Sequence, residues 1–220
     1  MRNRSKQDKT KISCITYYNK ASKEYFDKFQ DELEKKPYDK DFLTRLVQMI
    51  GKGDKILDIG CCSTAQQARF FKDNGLVVTS IDLSEECIIT ARQNFAGIEF
   101  LQMDMTEMDF KNESFHAVCA CYSIIHIPNE KLDGLFESFN RILKPKGKLA
   151  ITVHMGDFYG YYDENEIPVF YRTYTQKELT DLLDKYGFKI VEVGQRQPIY
   201  DFEFQSERIY LIAEKLEVRS

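Results

Sequence analysis

From residue 55 onward the chain alternates short apolar runs with stretches of helical period. That order leaves few folds open: parallel strands need a crossover between neighbours, and crossover helices cover both faces of the sheet they connect. Strands are predicted at 55–59, 76–81, 98–101, 115–121, 148–154, 188–193 and 208–213, with helices at 64–73, 84–94, 131–143 and 176–186. Two helices are well marked. Leu132, Leu135, Phe136, Phe139, Ile142 and Leu143 form one stripe that stops at "KPKG", while Thr175 and Glu178 read as a capping box before a helix closing at Gly187. The last two strands are joined by "GQRQPIYDFEFQSE", too short and irregular for a crossover helix, so they are expected to pair antiparallel. The expectation is a doubly wound, Rossmann-like α/β fold: a seven-stranded, mostly parallel sheet with a terminal antiparallel pair.

Ahead of this pattern, residues 1–11 are almost wholly polar and predict a disordered tail. Tyr18, Ser22, Tyr25, Phe26 and Phe29 then recur at helical spacing, and a second helix with Phe42, Leu43, Leu46, Val47 and Ile50 on one face ends at Gly51. Residues 12–220 thus read as one domain, with 12–50 as an N-terminal helical cap and the tyrosine-rich 158–174, "FYGYYDENEIPVFYRTY", as a substrate-side insertion. At 220 residues and 43% hydrophobic the chain can bury one substantial core. With 31 basic against 35 acidic residues, a net charge of −4, it has no field that would draw it to nucleic acid or an anionic membrane. No apolar run approaches a membrane span and the charged N-terminus has no signal-peptide pattern, so a cytoplasmic protein is expected, its six cysteines read as reduced thiols.

In a doubly wound sheet ligands bind outside the carboxyl ends of the strands, beside the first one. The polar residues at those ends are Asp58 and Gly60 with the following Cys61 and Cys62, then Asp82 with Leu83, Asp104 with Met105, and Cys121. In order, "ILDIGC", "VVTSIDLSEECIITARQN", "FLQMDMTEMDF", "FHAVCACYSIIHIP" and "LKPKGKLAITV" resemble the successive motifs of the class I S-adenosylmethionine-dependent methyltransferases of small-molecule type, over roughly residues 40 to 215. The resemblance implies S-adenosylmethionine as cofactor: Asp82 on the ribose diol, Leu83 beside the adenine, Asp104 receiving its amino group, Met105 on the ring, and Asp58 helping to fix the methionyl ammonium, directly or through water. A carboxylate can accept from both ribose hydroxyls, whereas adenine faces need apolar side chains. The Asp-x-Gly order also separates this site from a nicotinamide fingerprint.

The family's G-x-G-x-G loop is Gly60, Cys62 and Thr64 here, so two glycines are replaced. Wherever such a position needs positive φ, a side chain costs about 1 kcal/mol or more. Thr64 is expected to cap the next helix and Ser63 to bond a carboxylate, re-forming the loop. Cys61-Cys62 and Cys119-x-Cys121 could converge, but neither has the C-x2–4-C zinc spacing, and no metal is assigned. His126, after the fourth strand, is either a general base or a loop-packing residue; His154 is a second candidate, and His116 is expected to be structural. Tyr17, Tyr18 and Tyr25, together with Tyr162 and its neighbours in 158–174, are expected to close as a lid, with Arg172 suiting an acceptor that carries negative charge. His126 and Tyr17 are the catalytic candidates. Without an Asn-Pro-Pro-Tyr stretch or a basic stripe, the implied reaction is methyl transfer to a small molecule by in-line displacement. Two alternatives stay open: a regulatory cofactor-binding module with an impaired loop, and a cysteine-based metal or thiol protein. The acceptor and the oligomeric state are not fixed by the sequence.

Overall fold

The computed structural model describes residues 2–164, 166–201 and 203–217. Seven strands form one sheet: β1 (Lys55–Ile59), β2 (Val77–Asp82), β3 (Glu99–Gln102), β4 (Phe115–Cys121), β5 (Leu143–His154), β8 (Phe188–Arg196) and β9 (Arg208–Lys215), in the order β3-β2-β1-β4-β5-β9-β8. Neighbours from β3 through β5 are parallel, and β9 runs antiparallel to both β5 and β8. This is the expected fold. A separate antiparallel hairpin, β6 (Tyr159–Glu164) with β7 (Ile167–Arg172), makes up most of the predicted insertion.

Alternating burial splits the core in two. Leu57, Val118 and Ile151 face the helices α5 (Asn129–Ile142) and α6 (Gln176–Lys185), where Leu135, Phe136, Phe139 and Leu179 are buried. Ile56, Ala117 and Ala150 face α2 (Pro37–Gln48), α3 (Gln66–Asp73) and α4 (Glu85–Asn94), against Phe42, Leu46, Phe71 and Ile88. Local chemistry starts the helices as expected: Thr175 Oγ1 accepts from the Glu178 N–H at 3.1 Å, and Ser84 Oγ accepts from the Cys87 N–H at 3.1 Å. α5 ends at Ile142, just before "KPKG" as expected, but β5 begins at Leu143 rather than 148 and takes those four residues in. Lys146 takes φ 61° there, and the β4–β5 register shifts between Phe115 and Ala117.

The tail is the larger correction. α1 runs Arg2–Phe29, so the polar residues expected to be disordered are helical. Composition argued against a helix that buries itself, but this one lies across the carboxyl ends of the strands and finds polar partners on both sides. Ser22 Oγ donates to the Glu86 carbonyl at 3.1 Å and pairs with Thr90 Oγ1 at 3.0 Å on α4, while Thr10 Oγ1 lies 3.2 Å from the Tyr161 hydroxyl on the hairpin. Among the described residues no helix is long and apolar enough to cross a membrane.

Candidate active site

α1 roofs a cavity of about 370 Å³ over the ends of β1–β4, within the size range of small-ligand sites. Gly60, at φ 77°, ends β1, and a Cβ there would stand 2.5 Å from that of Ser123, so only glycine lets the loop pass beneath β4's end. Cys62 takes the left-handed conformation at φ 53° and its N–H donates to Asp82 Oδ2 at 2.8 Å; the Ser84 N–H donates to Oδ1 at 2.8 Å. The loop therefore keeps the left-handed backbone that glycine usually supplies. Thr64 does not cap α3: the residue before the helix is Ala65, itself at φ 42°, with no side-chain cap bond. Nor does Ser63 reach a carboxylate. Its Oγ donates to the Ser22 carbonyl at 2.8 Å and ties the loop to α1.

The sequence candidates are distributed unequally. Gly60, Cys61, Cys62, Asp82, Leu83, Asp104, Met105, Cys121 and His126 all line the cavity. Asp58 does not: it is 2% exposed beneath the loop and accepts from Ser80 Oγ at 2.8 Å. Burial pushes its carboxyl up to about 7, against that hydrogen bond. Burial also raises Asp82, against its backbone donors from Ser84 and Cys62. For Asp104 burial pulls the same way but is outweighed: Lys11 Nζ at 2.8 Å and both donors of Thr106 hold that carboxyl below its ordinary value.

On the acceptor side the structure selects Tyr18 over Tyr17. The Tyr18 hydroxyl lies 2.9 Å from His126 Nε2, and both residues line the cavity with Tyr25; Tyr17 is not in the lining, its ring set edge-on to Tyr18 at 5.0 Å. His126 Nδ1 lies 2.8 Å from the Phe170 carbonyl oxygen, which can only accept. The proton is thereby assigned to Nδ1, and Nε2 offers its lone pair to the Tyr18 hydroxyl. Burial lowers the His126 pKa, against the Phe170 bond, so the ring is neutral near pH 7. Burial with nearby Arg208 and Lys36 lowers His154 to about 3; its Nδ1 sits 2.8 Å from Ser206 Oγ, outside the cavity lining. His116, at the far end of β4, takes the Lys55 N–H at 2.9 Å and lies 3.1 Å from Asp54, as a structural residue would.

Two further expectations are corrected. Arg172 is buried and bonded to Asn129 and Glu178, its guanidinium 4.0 Å from the Tyr174 ring centre, and it does not reach the cavity. Tyr162 is 46% exposed and also stands outside the lining. Cys61, Cys62 and Cys121 do come to the same cavity, with Cys62 Sγ 3.8 Å from Cys87 and Cys121 Sγ 3.4 Å from Cys119. Among the described residues, no group of three or more His, Cys, Asp or Glu side chains could hold a metal ion. Sequence reasoning missed Thr10, Lys11, Cys14 and Glu32 in the lining. Cys14, Tyr18 and Tyr25, spaced at +4 and +7, are one helix face, the signal that singles out Tyr18 and excludes its neighbour Tyr17.

Residues 56–147 match the family model described as a methyltransferase domain. That stretch of the chain is similar to methyltransferase domains. The chain is 37% identical to YqeM of Bacillus subtilis over 105 residues, 46% of this chain and 42% of that protein. It is also 37% identical to the demethylmenaquinone methyltransferase of Chlorobaculum tepidum over 93 residues, 42% of this chain and 38% of that one. The alignments thus span about two fifths of the length of these curated relatives. Among solved structures it resembles the Burkholderia thailandensis 1,6-didemethyltoxoflavin-N1-methyltransferase, with a TM-score of 0.75 at 19% identity over 96% of this chain and 91% of that one. A methyltransferase of Methanosarcina mazei gives a TM-score of 0.69 at 21% identity, over 77% and 95%. These likenesses are of fold.

The residues present fit the family's cofactor. Asp82 and Asp104 stand at successive strand ends along the cavity, with Leu83 and Met105 as apolar surfaces beside them. The buried Ser123 hydroxyl, in the same lining, has no hydrogen-bond partner, as expected of a group that a ligand completes.

Proposed function

We propose that the protein moves the methyl group of S-adenosylmethionine to a small-molecule acceptor held between α1 and the cofactor cradle. The observation that carries this reading is one cavity holding both halves of the reaction: Asp82 and Asp104 at one side, the Tyr18–His126 pair at the other. The cofactor supplies an activated methyl on a sulfonium, so the protein's task is alignment in a dry site. Asp82 would accept the ribose hydroxyls through the lone pairs its two backbone donors leave open, while Asp104 would take the adenine amino group and Leu83 and Met105 would flank the ring. Cys61, Cys62 and Cys121 shape the cradle; burial raises the Cys61 pKa, and the Cys87 hydrogen bond followed by burial raises that of Cys62, so these two are neutral thiols.

Tyr18 is the group that meets the acceptor. An acceptor proton passes to the Tyr18 oxygen as the Tyr18 proton passes to His126 Nε2, while the Nδ1 bond to Phe170 holds the imidazole in the receiving tautomer. α1 and the β6–β7 hairpin close the site from water, and the hairpin's part is to fix His126 rather than to present Tyr162.

Calorimetric titration with S-adenosylmethionine tests the reading first, with Asp82→Ala expected to weaken binding about tenfold through loss of a charge-assisted bond. Incubation with methyl-labelled cofactor and metabolite extract then transfers label to a small molecule. Cofactor binding with no label transferred to any fraction would leave a binding module in place of an enzyme.

A further inference from the structure

We infer that Glu32, in the turn between α1 and α2, is the carboxylate that receives the methionyl ammonium of S-adenosylmethionine, a place that motif order gives to Asp58. The inference rests on the cofactor reading above. An ammonium enclosed without an acceptor is costly, so the amino-acid tail needs an oxygen partner at its end of the cavity. Asp58 is buried below the loop and contributes nothing to the lining. Glu32 does line the cavity.

Its place along the cavity is fixed by its neighbours. The Leu33 N–H donates to Gln66 Oε1, tying the turn to the first residue of α3. Lys36 Nζ is 2.7 Å from Glu32 Oε1 and 5.9 Å from the ring centre of Tyr122, which follows β4. Glu32 therefore stands toward the β1 and β4 side of the crevice, across from Asp104 and Met105, which follow β3 and flank the adenine. The tail must lie on Glu32's side.

A second observation points to a ligand at the same end. Ser123, 5% exposed and adjacent to Tyr122, has an unpartnered Oγ in the lining beside Gly60. Lys36 is the competitor for Glu32, but its ammonium also lies 3.7 Å from Glu203 Oε1. With that second carboxylate at hand, Lys36 stays neutralised while Glu32 is shared with the tail.

Titrations of the full chain with S-adenosylhomocysteine and with 5′-methylthioadenosine separate the tail from the nucleoside, because the second ligand has the same adenosine and thioether but no amino acid. Glu32→Gln is expected to weaken S-adenosylhomocysteine about tenfold and leave 5′-methylthioadenosine within about twofold. Lys36→Gln, which frees Glu32, should keep or tighten S-adenosylhomocysteine binding. If Glu32→Gln fails to fold, Glu32→Asp, with charge kept and reach shortened, should show the same selective weakening. Equal loss for both ligands, no loss for either, or a selective loss in Lys36→Gln would overturn the assignment. Failure of the unaltered chain to bind either ligand would overturn the cofactor reading instead.

Discussion

A single position in α1 decides which tyrosine faces the cavity. Tyr17 and Tyr18 have the same side chain, and about 100° of helix rotation sends one to the His126 lone pair and leaves the other outside the cavity lining. Tyr18→Phe keeps the ring and deletes only the hydroxyl. For an acceptor that must lose a proton, kcat should fall by roughly 10²- to 10⁴-fold with cofactor affinity unchanged, whereas Tyr17→Phe should change kcat little. The pH profile carries the sign. In the proposed relay the base is neutral His126, and burial lowers its pKa, so the rate should hold as pH falls through the ordinary histidine range near 6.5 and decline only below it. In His126→Asn that acid limb should flatten. A wild-type limb centred above 6.5, or an unchanged profile in the mutant, would remove His126 as base.

At the scale of elements, the β1–α3 loop shows how a motif can lose glycines and keep its shape. The strain sits at Cys62 and Ala65 rather than at Thr64, and it is offset by the Cys62 N–H bond to Asp82, which places a donor under the group that meets the ribose. Cys62→Gly removes about 1 kcal/mol or more of left-handed strain but adds roughly 0.5–1 kcal/mol of unfolded-state entropy. A net gain of about 0.5 kcal/mol, a Tm rise of about 1–2 °C for a chain of this size, is the expected calorimetric result. A Tm drop of several degrees would mean that the Cys62 side chain, 3.8 Å from Cys87, contributes more packing than strain.

Across the whole molecule, one buried charge network joins the helical cap to the end of the sheet. Arg196 on β8 bonds Asp39 of α2 at 2.8 Å and Glu203 at 2.6 Å, Arg208 of β9 stands 3.6 Å from Glu203, and the Tyr210 hydroxyl completes Asp39 at 3.1 Å. Tyr122, at the cavity, also donates to Asp39 at 3.1 Å, so the network reaches the floor of the site. Arg196→Leu leaves two carboxylates buried without their main partner and should destabilise the fold by about 3–5 kcal/mol in urea unfolding. A change under 1 kcal/mol would show that solvent already screens the pair.

The seven strands, their parallel order and the antiparallel final pair were legible in the sequence because period and loop length are local properties, and both faces of such a sheet must be covered. Asp82, Leu83, Asp104 and Met105 were legible for the same reason: a residue at a strand's carboxyl end borders the crevice wherever the sheet is doubly wound. What lies across the crevice was not. Polar composition at residues 1–11 spoke for disorder, but a helix can be held by hydrogen bonds and an ion pair to partners some 65 to 150 residues away, which no window of sequence contains. Arg172 looked available because charge in a sequence does, whereas burial and nearer partners had already claimed it; the burial of Asp58 beneath the loop, against Ser80, was equally invisible. Pattern determined the strands and the cradle; which side chains face the cavity, and whether each is charged there, was decided by long-range packing that sets distance and solvent access together.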